Sequence, residues 1–186
     1  MGHLIRTVRA DEWRRVRELR LAALRDPAAG VAFLETYERA AARPDAYWKD
    51  RTASAAARDG AMLQFVAEGP DGAWAGSVTA LVEEPGTPTL LGAPIDRRQA
   101  HLVGVYVRPE ARGTGLTEDL FDAAVTWAFA PDGAAAERVR LFVHQDNPRA
   151  EAFYRRYGFT RSGQHAPVPD DPAAREYEMV LDRETP

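Results

Sequence analysis

The segment Val103-Gly104-Val105-Tyr106-Val107-Arg108-Pro109-Glu110-Ala111-Arg112-Gly113-Thr114-Gly115-Leu116-Thr117 reads as strand, short loop, glycine-rich turn and helix start. The first turn of a helix leaves backbone N–H groups without intrahelical partners, and the helix dipole adds partial positive charge there, so such a junction suits an anion. Gly113 and Gly115 let the backbone approach a pyrophosphate closely, and Arg112 adds a cationic contact. The same glycines equally suit a plain strand-to-helix turn. A P-loop is excluded because Leu116-Thr117 supplies no Lys-Ser/Thr pair. A dinucleotide fingerprint fits worse, because Glu118 occupies the third glycine position and the chain lacks repeated βαβ units from its N-terminus.

Working outward, Leu4–Val8 reads as a first strand, followed by a helix capped by Asp11 and stopped by Asp26-Pro27. Residues 28–59 read as a loop and one or two helices. Ala61–Ala67 and Ala73–Val82 form a hairpin about Gly69-Pro70-Asp71-Gly72, and Glu83–Pro94, with three prolines and two glycines, reads as a loop. Strand His101–Val107 leads through the glycine turn to a helix with Leu116, Leu120, Ala123, Ala124 and Trp127 on its buried face. A strand at Val139–Val143, a helix from Pro148 to Arg156 terminated by Gly158, a strand from Phe159 to Gly163, a loop over Gln164–Pro172 and a strand at Tyr177–Leu181 complete the chain. The order describes one mixed α/β (α+β) domain over residues 3–183.

The bulk composition narrows the function classes. The 186 residues carry a net charge of -4, with 45% hydrophobic and 28% charged residues. That balance, with arginines dispersed along the chain, argues against a nucleic-acid partner. No cysteine is present, which removes disulfides and thiolate nucleophiles. No apolar run approaches the roughly 20 residues of a membrane span, and Met1–Ala10 lacks an apolar leader core. The expectation is a cytoplasmic protein without membrane association. His3, His101, His144 and His165 form no close ligand pair, so no metal is expected.

With Arg112-Gly113-Thr114-Gly115-Leu116-Thr117 behind Val105, Val107 and Pro109, the chain resembles the GNAT superfamily of N-acetyltransferases. Thr117 departs from the Gly or Ala of that signature. Leu141 to Phe159, with Asn147, Phe153-Tyr154 and Gly158-Phe159, resembles the family's second element. The resemblance implies a central, mixed, mostly antiparallel sheet of about six to seven strands, flanked by helices and splayed between its two central strands. It implies acetyl-CoA as co-substrate, held by Val105, Tyr106, Val107, Arg112, Gly113, Thr114, Gly115, Leu116, Thr117, Asn147 and Tyr154. The reaction implied is transfer of the acetyl group to a primary amine of a small molecule or peptide by direct attack in a ternary complex. The alternative is a non-catalytic acyl-CoA sensor, and a homodimer is compatible with either.

Tyr154 occupies the position of the family's general acid, and an ordinary phenol keeps its proton at neutral pH. Packing beside Phe153 is its other role, as helix capping before Pro148 is for Asn147. Period-two alternation puts His101, Val103, Val105 and Val107 on one strand face, aiming His101 into the acceptor cleft as a base. Glu83, Glu84, Glu35 and Glu38 are rivals for that role, and His101 also suits an ordinary surface position. The acceptor is expected to meet Phe33, Tyr37 and Trp48, with Glu35 and Glu38 favouring a cationic amine.

Overall fold

The computed structural model describes residues 2–57, 60–88, 94–169 and 171–183. Seven strands form one sheet: β1 (Leu4–Thr7), β2 (Met62–Glu68), β3 (Trp74–Glu83), β4 (Gln99–Val107), β5 (Arg138–His144), β6 (Thr160–Val168) and β7 (Asp171–Asp182). Their order is β1-β2-β3-β4-β5-β7-β6. Every neighbouring pair is antiparallel except β4 and β5. The helices are α1 (Trp13–Leu24), α2 (Ala29–Ala32), α3 (Tyr37–Ala41), α4 (Asp45–Ala56), α5 (Leu116–Phe129) and α6 (Pro148–Tyr157). Arg58 and Asp59, at the end of the stretch read as a loop and one or two helices, and Thr89–Ala93 and Asp170, within the expected loops, lie outside the described residues.

Two cores sandwich the sheet. On one face, α1 and α4 bury Trp13, Val16, Leu19 and Trp48 against Val66, Trp74 and Tyr106. On the other, Leu116, Leu120, Phe121 and Ala124 of α5 pack on Phe65, Val78, Leu102 and Leu141, and Tyr154 and Phe159 close the same core. Phe121 is fully buried and stacks on Tyr154 at 5.7 Å, with Phe153, Tyr157 and Phe159 around it. Offset and edge-on aromatic packing of this kind adds to the burial of apolar area.

Three sequence expectations change. Asp11 does not cap α1: the helix starts after Glu12, whose carboxylate accepts the Arg9 N–H at 2.9 Å and pairs with Arg6. Residues 28–56 hold three helices rather than one or two, with the Thr36 hydroxyl capping α3. Gln164–Pro172 is not a loop, because β6 runs to Val168 and β7 begins at Asp171. β6 is an edge strand, where Pro167 has no missing ladder bond to answer for.

The feature that positions the site is a local failure of pairing. β4 and β5 pair only at Gln99–Arg138, Ala100–Val139 and His101–Arg140, and then part. Opposite β3, two steps from Ser77 to Thr79 are matched by three from Val103 to Tyr106. The extra residue is a bulge at Gly104, whose φ is +64°. A bulge bends its strand and raises its twist, which carries β4 away from β5. It also reverses the side-chain alternation. Val105 and Val107 therefore join Ala100 and Leu102 on the α5 core, whereas His101 lies on the opposite face beside Phe142. The single face expected for His101, Val103, Val105 and Val107 is thus corrected.

A Cβ at Gly104 would meet nothing within 4 Å, so a substitution there is penalised by backbone conformation rather than by crowding. Gly104→Val is expected to lower unfolding stability by about 1–2 kcal/mol. Equilibrium urea unfolding would show this as a lower midpoint at unchanged slope.

Candidate active site

The parted strands open into a cleft of about 740 Å³ that passes through the sheet. One wall is β4 beyond His101, and the other is Leu141–His144 of β5 with α6 behind it. α1, α2 and α4 line one mouth, and the glycine turn with the start of α5 lines the other.

Gly113 (φ +78°) and Gly115 (φ +88°) both adopt the left-handed conformation, and a Cβ on either would project into open space. Gly115 is the N-cap of the 14-residue α5 and offers no side chain to its first N–H groups. The junction is an open cradle of backbone donors at a helix N-terminus, a fit to a phosphate or pyrophosphate. Side chains around it are committed elsewhere. The Arg112 guanidinium pairs with Asp26 at the end of α1, and its Nε–H donates to the Val107 carbonyl at 3.0 Å. Arg112 thus fastens the turn to α1 instead of reaching out as a free cation. The Thr114 hydroxyl donates to the Ala111 carbonyl at 2.8 Å, and Leu116 is buried core, so these two offer the cradle their backbone. Thr117 lines the cleft. Arg149 and Arg156, which the sequence reading missed, line the cleft from the exposed face of α6 and form no ion pair among the described residues.

Val105 and Tyr106 line the cleft from opposite faces of β4, while Val107 is buried in the α5 core and borders a smaller adjoining cavity. Asn147 caps α6: its Oδ1 accepts the Ala150 N–H at 3.2 Å, and its Nδ2 donates to the Val31 carbonyl at 3.2 Å. Its amide therefore joins α6 to α2, which meets the capping role.

Tyr154 lies deep in the cleft, 8% exposed. Burial, with Glu176 nearby, pushes its phenol above the usual tyrosine range, so it stays protonated. Glu176 itself was not anticipated. It follows Arg175 and precedes Tyr177-Glu178, a polar run that resembles a solvated strand end. In the fold it lines the cleft, 9% exposed, beside His144 across the β5–β7 ladder. No cation or hydrogen-bond donor among the described residues meets its carboxyl, and burial alone raises it to about 7. His144 is held in one orientation, its Nδ1 accepting the Asp146 N–H at 3.1 Å.

His101 also lines the cleft. Its Nδ1–H donates to Glu83 at 3.2 Å. Burial opposes the Glu83 charge, but His101 and Arg140 outweigh it and hold the carboxyl down at about 2. Glu83 is therefore a weak base. Glu84 is tied to Arg98, and Glu38 is exposed and away from the cleft lining.

Of the residues expected to meet the acceptor, Phe33, Glu35 and Trp48 line the cleft and Tyr37 does not. Tyr37 packs on the α1–α4 core with Arg25 over its ring at 4.2 Å. Glu35 is engaged by Arg20 at 3.1 Å. Arg20 and Arg51 line the same region. Among the described residues no cluster of His, Asp or Glu suits a metal, and no helix is long and apolar enough to cross a membrane.

The Glu176 carboxyl has a measurable signature in stability. Its pKa is raised from 4.5 to about 7 on folding, so the folded state binds its proton more tightly than the unfolded chain. That contribution is complete below pH 4.5, falls as pH rises, and is lost above about pH 7. At about 1.4 kcal/mol per pH unit, the span is worth about 3 kcal/mol. Glu176→Gln, which cannot ionise, is expected to gain on wild type by that amount between pH 4.5 and pH 8, read as the difference of two urea-derived stabilities at each pH.

Comparison with known proteins agrees with this architecture. Among solved structures, a phosphinothricin acetyltransferase from Sinorhizobium meliloti in complex with AcCoA superposes with a TM-score of 0.69 at 18% identity, covering 98% of this chain and 89% of that one. The PaiA N-acetyltransferase of Thermoplasma acidophilum in complex with coenzyme A gives 0.68 at 16% identity, covering 98% and 100%. A spermidine N-acetyltransferase SpeG chimera from Vibrio cholerae and hSSAT gives 0.67 at 17% identity, covering 98% and 96%. A comparison with curated protein sequences gave no match. The model of the acetyltransferase (GNAT) family matches residues 13–159, from the first residue of α1 to the end of the Gly158-Phe159 element, and the chain belongs to that family.

Proposed function

We propose that this protein transfers the acetyl group of acetyl-CoA to the primary amine of a small molecule, with Tyr154 as general acid and Glu176 as general base. The observation that carries the reading is the juxtaposition, in one through-sheet cleft, of a buried phenol and a buried carboxyl that has no partner among the described residues. The backbone cradle at Gly113–Thr117 fits the coenzyme's pyrophosphate, and the unpaired edge of β4 beyond His101 suits its pantetheine amides. Acetyl-CoA supplies an acetyl group on a thiol that leaves readily once protonated.

The residues divide the proton work. The amine arrives as an ammonium and must lose a proton before its lone pair can attack. A carboxylate with a pKa near 7 matches that task at neutral pH. Tyr154, held protonated by burial, gives its proton to the departing sulfur. In becoming an amide the ammonium gives up two protons: one is matched by the proton that Tyr154 passes to the sulfur, and the other leaves to solvent through Glu176. His101 borders the acceptor, and its link to Glu83 fixes the ring in the Nδ1–H tautomer. It is positioned at the closed end of the splay, next to the last paired residues of β4 and β5, and we assign it to acceptor binding.

Acetyl-CoA is expected to raise the melting temperature of the protein, and Gly115→Val to abolish the rise. An unchanged rise in that variant would remove the cradle from the coenzyme site. With one accepted amine, Tyr154→Phe and Glu176→Gln should each lower kcat on the order of 100-fold while leaving coenzyme affinity nearly intact. The wild-type kcat should climb with pH through about 7 as Glu176 ionises, and this limb should vanish in Glu176→Gln. His144 and Tyr154 are the titratable groups that flank it in the cleft. If acetyl-CoA binds and no amine releases free thiol, the acyl-CoA sensor reading replaces this one.

A further inference from the structure

Charge is unevenly matched in the acceptor half of the cleft. α4 presents Trp48 and Arg51 to it, three residues apart and therefore on one helical face. α1 presents Arg20, and the segment before α3 presents Glu35. Arg20 donates from Nε and Nη2 to Glu35 Oε2 at 3.2 and 3.1 Å, and Arg43 lies 3.9 Å from the other carboxylate oxygen. The Glu35 charge is thus spent on its neighbours, against the expectation that it would attract a cationic amine.

Arg51 has no such partner. Among the described residues it forms no ion pair and no side-chain hydrogen bond, although the cleft holds it half-buried. Its charge also bears on Arg20, whose pKa is lowered first by burial and further by Arg51. One helical turn from Arg51, Trp48 lines the cleft, 2% exposed, with an indole N–H that meets no acceptor among the described residues. An indole N–H left unmet in the cleft wall and an unpaired Arg51 beside the Arg20–Glu35 pair are each unfavourable, and an anion bound in the cleft relieves the charge on Arg51.

We infer that the acceptor carries an anionic group as well as its amine, and that Arg51 binds that group. The substrate class is then amino acids and similar amino compounds bearing a carboxylate or other compact oxyanion, rather than polyamines. The inference rests on the acetyl-transfer reading of the same cleft. In it Arg51 fixes one end of a zwitterion while Glu176 receives the proton from the other. A guanidinium offers two parallel N–H donors to such an oxyanion.

The test is thiol release from acetyl-CoA with a panel of amino acids, each paired with its carboxamide, and with spermidine. At least one amino acid should be turned over with kcat/KM on the order of 100-fold above its own carboxamide. Arg51→Gln should collapse that ratio to a few-fold, and Arg51→Lys should retain part of it. Arg51→Glu should invert the preference toward the carboxamide or spermidine. The coenzyme-induced rise in melting temperature, measured on each variant, verifies that the fold and the coenzyme half are intact. Wild-type preference for spermidine or for carboxamides overturns the inference and leaves acetyl transfer standing, as does a ratio that persists in Arg51→Gln. Coenzyme binding without thiol release from any amine overturns both.

Discussion

The site depends on β4 and β5 being paired for three residues and then separated. Continuous pairing would satisfy more backbone groups, but it would fill the space through which the cleft passes. The bulge at Gly104 supplies the separation, and glycine there adopts a positive φ that other residues reach only with strain. Because the same bulge reverses the alternation of β4, it brings Val105 to the α5 face while leaving His101 toward α1 and α4. One local irregularity thus makes the cleft and gives it two chemically different halves.

The closed end of the splay is held by a polar network that crosses five strands. Arg140, 1% exposed, donates to Glu83 of β3 at 2.7 and 2.8 Å and to Glu178 of β7 at 2.9 Å. Gln99 and His101 of β4 also bind Glu83, and Ser162 of β6 donates to Glu178. Such a buried network adds little net stability over an apolar equivalent, whereas removing one member leaves an uncompensated charge. Its effect here is geometric: it fixes the point where β4 and β5 part. Glu176, two residues along β7 from Glu178, projects from the same face but beyond the reach of Arg140. The same strand therefore carries one carboxylate neutralised for structure and one that, among the described residues, has no partner in the cleft.

Much of this was legible in the sequence. The strand, glycine turn and helix from Val103 onward appear as read, and so do the hairpin about Gly69–Gly72, the α5 stripe and the cap at Asn147. These rest on local chemistry: turn residues, helix periodicity and termination signals. The readings that failed concern what lies across the chain. Arg112 looked like a free cation because Asp26, its partner, is far away in sequence. Tyr37 looked like an acceptor contact because nothing local shows that α3 turns it toward α1. The β6–β7 hairpin looked like a loop because of its prolines; Pro167 is tolerated in β6 because that strand lies at the sheet edge, and edge position is a property of the whole sheet.

The sequence by itself determined the family resemblance, the glycine turn at Gly113–Thr117 and the placement of Tyr154 on its helix, because each is written in contiguous residues whose backbone preferences act locally. Tertiary structure decided which charges are spent and which remain. Glu83, Glu35 and Arg112 are neutralised by distant partners, whereas Glu176 and Arg51 reach the cleft with none among the described residues. The physical reason is that the behaviour of an ionisable group depends on its desolvation and on charges within a few ångströms. Residues tens of positions apart, brought together by a seven-stranded sheet, supply both.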